Sequence, residues 1–312
     1  MLVYLADLAH NKSIDSRSIP MPLGIGYVKA YLLENIKTDI KVELFKDPEK
    51  FLEKSIKNKP DIIGIANYGW NQNLNEIIGK YLKNKLKSTF FIGGGPNIDE
   101  DPILQLRFLK KHSYLDYYIV DGGEEPFFSF VEWVKSDQKM TNLPNNIIYN
   151  YNNKLCKTDL LPLVKNITNI PSPYLNGYLD EFLEEGMVPL FETNRGCPFK
   201  CTFCAWGSAS KDLVRRMDFD VSLEEIEYVS QRSKAVNWIF CDANFGILKR
   251  DVEIAKKIKE SNTKSGFPKK CHMWLSKNTN DRNIEIADIL GDMIVPVMAV
   301  QSLDQQVLQN IK

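Results

Sequence analysis

Three of the six cysteines in this 312-residue chain fall within one short stretch, Cys197-Pro198-Phe199-Lys200-Cys201-Thr202-Phe203-Cys204, a Cys-x-x-x-Cys-x-x-Cys. The chance expectation for three cysteines at these offsets is on the order of 0.002 per chain, so the cluster is not an accident of composition. Three thiolates on so short a loop suit three irons of a 4Fe–4S cluster and leave the fourth iron open. An open position marks a catalytic metal rather than a closed, structural one. A zinc ion completed by Cys241, Cys271 or His272 is the alternative, although zinc sites usually pair cysteines as two Cys-x-x-Cys knuckles and no second knuckle occurs. A disulfide leaving one odd cysteine is a further, weaker alternative.

A second set of chemistry-bearing residues follows apolar runs in the first 140 residues: Asp7, Asn67-Tyr68-Gly69-Trp70-Asn71, Gly93-Gly94-Gly95-Pro96 and Asp121-Gly122-Gly123-Glu124. The runs at 2–5, 42–45, 62–66, 90–92 and 117–120 read as strands. Between the first two, Ile25, Val28, Leu32 and Ile36 share one face of a helix, and similar stretches follow at about 48–58, 73–87, 101–111 and 125–136. Strand and helix in this rhythm predict a doubly wound parallel sheet with helices on both faces. Ligands of such sheets bind beyond the carboxyl ends of the strands, where glycine lets the backbone come close. Several glycine loops in that position together predict a ligand crevice.

Prolines punctuate 141–185, which reads as a linker with a small hairpin around Asn150-Tyr151-Asn152-Asn153. A second strand–helix series follows, with strands expected at 188–193, 236–242, 272–277 and 293–301. A helix is expected to open on the capping-box pattern Ser222-Leu223-Glu224-Glu225, and another to span 249–260, burying Val252, Ala255 and Ile258. The three cysteines come directly after the first strand of this series, at its carboxyl end, where barrel enzymes carry their active sites.

Lysine plus arginine and aspartate plus glutamate number 40 each, so the chain has no global pull towards nucleic acid, and none is expected as a partner. With 44% hydrophobic residues, wholesale disorder is excluded. The longest apolar stretches, such as 294–300, fall far short of the ~20 residues of a membrane span. The amino terminus has no basic region of a secretory signal, so a reducing, cytoplasmic setting with free or metal-bound thiols is expected.

On the cysteine motif, with Phe203 at the aromatic position of Cys-x-x-x-Cys-x-aromatic-Cys, the sequence resembles the radical SAM superfamily. The resemblance implies that Cys197, Cys201 and Cys204 bind a 4Fe–4S cluster whose open iron chelates S-adenosylmethionine, and that one electron then cleaves the sulfonium to a 5′-deoxyadenosyl radical. It places Phe203 near the adenine, and puts Asp242 and Asn244 where the family contacts the methionine amino group, here with Asp242-Ala243-Asn244 in place of Gly-Gly-Glu. Ser276 ends the third strand, and Gln301-Ser302 ends the fourth, where Ser302 approaches the ribose or the methionine carboxylate. Asp242 as a cap of the following helix is the alternative. The combination of domains resembles the cobalamin-binding subgroup. Pro22-Leu23-Gly24-Ile25-Gly26-Tyr27, Pro60-Asp61-Ile62-Ile63-Gly64-Ile65, Gly93-Gly94-Gly95-Pro96 and Gly122-Gly123-Glu124-Glu125-Pro126 are similar to its motifs. Gly93, Gly94, Gly95, Gly122, Gly123 and Glu124 are then cobalamin-contacting residues. None of His10, His112 and His272 lies in the Asp-x-His-x-x-Gly pattern that supplies a lower axial ligand, so Trp70 or Asn71 is expected under the ring. Nucleotide motifs fit worse: Lys29 stands where Gly24-Ile25-Gly26 needs its third glycine.

The expected fold is α/β: a Rossmann-like, cobalamin-binding domain over 1–140, a linker over 141–185, and a radical SAM partial barrel over 186–312. The resemblance implies cobalamin-dependent methylation of an unactivated carbon in a small-molecule, lipid, sugar or peptide substrate, with an external electron donor such as flavodoxin or ferredoxin. A radical SAM enzyme whose first domain no longer binds cobalamin, and a non-catalytic cobalamin or redox sensor, are the alternatives. Only four strands are countable from Val188 against the six of the family barrel. Leu303, Val307 and Ile311 open a helix that meets Lys312 without a stop signal, so the barrel is expected to be incomplete.

Overall fold

The computed structural model describes residues 1–10, 18–136, 138–164, 166–204, 213–277 and 281–311. Lys312, where the last helix was expected to break off, lies outside the described residues. The chain divides into two compact units, Met1–Ile14 with Pro22–Pro162 and Asp15–Met21 with Leu163–Lys312.

In the first unit five strands alternate with five helices: β1 (Leu2–Ala6), α1 (Leu23–Asn35), β2 (Lys41–Phe45), α2 (Pro48–Asn58), β3 (Ile62–Ala66), α3 (Gln72–Lys85), β4 (Phe90–Gly94), α4 (Pro102–Lys111), β5 (Tyr117–Ile119) and α5 (Glu124–Lys135). The strands are parallel in the order β2-β1-β3-β4-β5. Alternate residues of β1 serve opposite faces. Tyr4 and Ala6 pack with Phe51, Leu82 and Leu109, while Val3 and Leu5 pack with Ile25, Leu32 and Phe130. A strand covered on both faces reads as a continuous apolar run, which is why these segments stand out in the sequence. Asp47 and Asp101 accept hydrogen bonds from the first backbone N–H groups of α2 and α4, each with proline at the opening position. The winding reverses between β1 and β3, a switch point at which the loops diverge and leave a crevice.

The stretch expected as a linker is shared between the units instead. Its hairpin, β6 (Ile147–Tyr151) and β7 (Lys154–Lys157), turns on Asn152 and Asn153 in left-handed conformation (φ 49° and 63°) and adds two antiparallel strands to β5. Ile147 and Ile148 are buried on opposite faces of the sheet, which ties the hairpin to the first unit's cores. Beyond Leu163 the chain joins the second unit, where the Tyr174 hydroxyl donates to Leu190 O at 2.7 Å and the Ser172 hydroxyl donates to Glu225 at 2.5 Å.

The second unit contains α6 (Asp180–Glu184), β8 (Leu190–Phe191), a two-residue antiparallel ribbon of β9 (Asn194–Arg195) and β10 (Arg215–Arg216), α7 (Phe219–Arg232), β11 (Asn237–Phe245), α8 (Asp251–Ser265), β12 (Lys270–Leu275), α9 (Asp281–Leu290), β13 (Ile294–Val297) and α10 (Gln305–Asn310). Strands β8, β11, β12 and β13 form one parallel sheet in that spatial order. Its core is aromatic: Phe191 stacks on Phe240 and Tyr174 and lies against the wholly buried Trp238. The capping-box reading of α7 is corrected. The helix starts earlier because Asp218 accepts from Asp220 N and Val221 N, and Ser222 donates back to Asp218 O at 2.6 Å. The first and fourth strands are shorter than expected, and β11 is longer.

Two outcomes follow from packing. Gly79 lies where a Cβ would stand 2.3 Å from the Tyr114 ring, so Gly79→Ala should destabilise the first unit by about 1–3 kcal/mol, against the helix propensity gained. Amide-exchange protection of β3 and β4 reads that loss. Burial of Glu225 on α7 pushes its carboxyl from the usual 4.5 up to about 7. The folded state therefore holds this proton more tightly than the unfolded chain does. Stability of the second unit should fall as pH rises from about 4.5 to about 7, and Glu225→Gln should flatten that slope by on the order of 2–3 kcal/mol in urea titrations.

Candidate functional site

The cysteine loop leaves the sheet at the end of β8 and is rooted by one carboxylate. Asp242, wholly buried in β11, accepts from Thr193 N (2.7 Å), Asn194 N (3.1 Å), Asn194 Nδ2 (2.8 Å) and the Thr193 hydroxyl. Burial pushes its pKa up to about 7, opposed by these donors, which favour the charged form. From the other side Arg250 donates to Thr193 O at 2.5 Å and Met217 O at 2.7 Å. The ribbon of β9 and β10 then closes the base of the excursion that carries the cysteines. Asp242 thus works on the protein's own backbone, and its carboxylate is committed to residues 193 and 194 rather than left for a cofactor. It does not cap α8 either: Asp251 takes that turn, accepting from Gly246 N and Leu248 N.

Cys197 is buried, and Cys201 and Cys204 are half-exposed, with Cys204 N donating to Cys201 O at 3.0 Å. Among the described residues, two side chains reach their sulfurs. Asn244 Nδ2 donates to Cys197 Sγ at 3.1 Å, and Lys277 Nζ donates to Cys201 Sγ at 3.0 Å while standing 5.5 Å from the centroid of the Phe203 ring. Phe203 itself is 57% exposed. Ser276 is buried at the end of β12, its N–H donating to Phe245 O. Gln301, in left-handed conformation (φ 66°), and Ser302 form a surface turn after β13, where Ser302 Oγ accepts from Asp304 N. The structure thus brings Asn244 and Lys277 to the cysteines, while Ser302 is engaged in its own turn. Lys277 was not foreseen, because no local pattern joins it to a cysteine far earlier in the chain.

The donor set suits an iron–sulfur cluster: three thiols on one loop, two of them already receiving N–H donors. Among the described residues no three His, Cys, Asp or Glu side chains converge as ligands of a single ion would. A cubane takes each thiolate at a separate iron, so its sulfurs need not meet at one point. Cys271 is buried in the sheet, its thiol pushed up to about 12 by burial, and His272 Nε2 lies 3.3 Å from Asn237 Oδ1. Beside the loop, Asn194 Oδ1 is buried without a hydrogen-bond partner, an acceptor that suits an ammonium such as that of a methionine moiety.

At the switch point of the first unit, Asp7 at the end of β1 accepts from Lys46 Nζ at 2.8 Å, both side chains buried, and from Asn71 Nδ2 at 3.4 Å. Burial pushes the Asp7 carboxyl up, and the Lys46 ammonium pulls against it. Asn71, expected under a bound ring, is wholly buried; it accepts from Tyr68 N and donates to Ala66 O, so it shapes the loop from beneath. Trp70 is 67% exposed and stacks on Tyr68 with ring centroids 4.4 Å apart. Gly93 faces inward, where a Cβ would strike the Tyr118 ring at 2.6 Å, so its glycine serves packing. Gly95 (φ 109°) has its missing Cβ 2.8 Å from Asn67 O, and the Tyr118 hydroxyl donates to its carbonyl at 2.7 Å. A Cβ on Gly94 would meet nothing closer than 4.0 Å, and on Gly122 nothing closer than Glu124 Oε2 at 3.7 Å. Glu124 is buried at the start of α5. At Gly94 and Gly122, unlike Gly93 and Gly95, a side chain would meet only ordinary van der Waals contacts. Asp242→Ala should leave the Thr193 and Asn194 amides buried without an acceptor. Their exchange is expected to speed at least tenfold relative to β12, since each orphaned donor costs ~1–3 kcal/mol.

The radical SAM superfamily model matches residues 191–312. The chain is 31% identical over 265 residues to the cobalamin-dependent radical SAM methyltransferase TokK of Streptomyces tokunonensis, covering 81% of this chain and 38% of that protein. It is 30% identical over 262 residues to the 2-(S-pantetheinyl)-carbapenam-3-carboxylate methyltransferase of Streptantibioticus cattleyicolor, with 81% and 38% covered. The chain thus spans well under half the length of these curated relatives. In fold it is similar to the radical S-adenosylmethionine methyltransferase TsrM of Kitasatospora setae, solved with cobalamin and a 4Fe–4S cluster (TM-score 0.74, 12% identity, 98% of this chain, 60% of that one). It is similar also to the cobalamin-dependent S-adenosylmethionine radical enzyme OxsB, solved with aqua-cobalamin and S-adenosylmethionine (TM-score 0.72, 18% identity, 99% and 45%). With this family match, residues 191–312 are a radical SAM superfamily domain, and the doubly wound sheet before it is similar in fold to the N-terminal part of cobalamin-dependent members of that superfamily.

Proposed function

We propose that the chain acts in cobalamin-dependent radical SAM methylation of an unactivated carbon. The observation that carries this reading is the cysteine loop at the carboxyl edge of a parallel sheet, with Asn244 and Lys277 donating to two of its sulfurs. When bound, the cluster supplies the electron that cleaves S-adenosylmethionine to a 5′-deoxyadenosyl radical, and cobalamin supplies the methyl group. Cys197, Cys201 and Cys204 hold the cluster, and Asn244 orients the first of them. Asn194 Oδ1, buried without a partner, would accept from the methionine ammonium, and the exposed Phe203 ring would pack against the adenine. In the first unit the backbone of Gly94, Gly95, Gly122 and Gly123 would receive cobalamin, and the Tyr68–Trp70 stack would offer it an aromatic face. Asn67 and Tyr118 fix the triglycine loop, through Asn67 N to Gly94 O at 2.7 Å and the tyrosine hydroxyl to Gly95 O.

The relative that acts on a carbapenam carboxylate supports a small-molecule substrate for this chain too. A flavodoxin or ferredoxin supplies the electron. The reading places the cysteine loop in a reducing, cytoplasmic setting, where thiols stay available to a cluster; no helix among the described residues is long and apolar enough to cross a membrane.

Anaerobic purification from cells supplied with cobalamin tests the reading. Corrin bands beside the cluster absorption, and 5′-deoxyadenosine released after dithionite reduction, are expected. Cluster and 5′-deoxyadenosine without corrin would leave radical SAM chemistry and remove cobalamin, and no 5′-deoxyadenosine would leave only a sensor. Cys201→Ala should abolish the visible cluster absorption, since two thiolates do not retain a cluster on so short a loop. Cys156, Cys241 and Cys271 replaced singly should leave it largely intact, and iron loss from Cys241→Ala equal to that from Cys201→Ala would sink the open-iron reading.

A further inference from the structure

Lys277 has no counterpart among the residues expected at the site, yet its ammonium is held against the cysteine loop. It follows β12 directly, behind Ser276, whose side chain is buried, whose N–H donates to Phe245 O and whose carbonyl accepts from Asn283 Nδ2 at 3.2 Å. From this fixed base Nζ donates to Cys201 Sγ at 3.0 Å in a part-buried contact, and rides 5.5 Å from the centroid of the Phe203 ring, two residues along the same loop. Cys197 receives a neutral amide from Asn244 instead. The two sulfurs are thus unequal: one meets a dipole and the other a full positive charge, and charge-assisted hydrogen bonds are the stronger kind.

We propose that Lys277 is a positioning residue that holds Cys201 and raises the midpoint potential of the cluster, easing its one-electron reduction. This rests on the cluster reading given above. Reduction adds one electron, from dithionite or a low-potential donor protein, to a core already bound by three thiolates. The product carries one more negative charge, and no bond forms or breaks. A cation at hydrogen-bond distance from a ligating sulfur stabilises that more negative state more than the oxidised one. A hydrogen bond to a charged group shifts such an equilibrium on the order of tenfold.

The test uses the full chain reconstituted with iron and sulfide, titrated electrochemically and followed by electron paramagnetic resonance. The parent, Lys277→Met, Lys277→Gln and Lys277→Arg are expected to take up the same iron. At the parent's midpoint the reduced-to-oxidised ratio should fall about tenfold in the Met and Gln variants, 59 mV for one electron, and stay within threefold in the Arg variant. Equal potentials in the parent and Lys277→Met overturn the proposal. So does loss of iron from both neutral variants, which would make Lys277 a strut for the loop and nothing more. A parent that takes up no iron overturns the cluster reading itself, an outcome distinct from unchanged potentials in loaded variants.

Discussion

One buried carboxylate anchors the second unit's chemistry. Asp242 sits in the middle of the sheet with no exposure, and its cost of desolvation is offset by four donors from two consecutive residues, Thr193 and Asn194. Those residues are the hinge at which the chain leaves β8 and enters the cysteine loop. Arg250 takes the Thr193 carbonyl of the same hinge and the Met217 carbonyl, so the backbone at the root is held from both sides. A loop that must present three thiols in a fixed relation to one another needs such a base. Within its described residues the loop closes a short turn, Cys204 N to Cys201 O.

The first unit solves a related problem with different groups. Its edge at the switch point is made of backbone, and backbone is placed by polar side chains lying under it. Asn71 and Asn75 both donate to Ala66 O, Asn67 donates to Asn97 O, and the Tyr118 hydroxyl reaches Gly95 O. The buried Lys46–Asp7 pair closes the floor of the same edge. Glycine is used in two ways there. Gly93 makes room for the Tyr118 ring beneath, whereas Gly95 adopts a conformation and an approach to Asn67 that a side chain forbids.

Much of this was legible in the residues because it rests on local pattern. The central strands β1, β3 and β4 of the first unit are runs buried on both faces, and the cysteine spacing is rare enough to stand alone. What escaped depends on partners distant in sequence. Asp242 sits where a cofactor contact was expected, and nothing nearby reveals that its donors are backbone and side-chain groups 48 and 49 residues earlier. Asn71 was expected with Trp70 under a bound ring for want of a histidine motif, and its partners Tyr68 N and Ala66 O are contacts that a motif does not display. The capping box at Ser222 misled because a stronger cap, Asp218, stands one turn before it. The hairpin at Asn152-Asn153 was visible as a turn, but its allegiance to the first sheet lies in where Ile147 and Ile148 are buried, which periodicity does not report.

The long reach of these contacts sets a timetable for biosynthesis. The cysteine loop is made early, but its root waits for Asp242 and its outer sulfur waits for Lys277, 76 residues after Cys201. At translation rates of about 5–20 residues per second, that is an interval of roughly 4 to 15 seconds in which the thiols exist without the scaffold that arranges them. Through that window the nascent chain offers three neighbouring thiols to oxidants and to stray metal ions. Cluster insertion is therefore a step that belongs after β12 has left the ribosome, and thiol protection during elongation becomes part of what this fold requires of the cell that makes it.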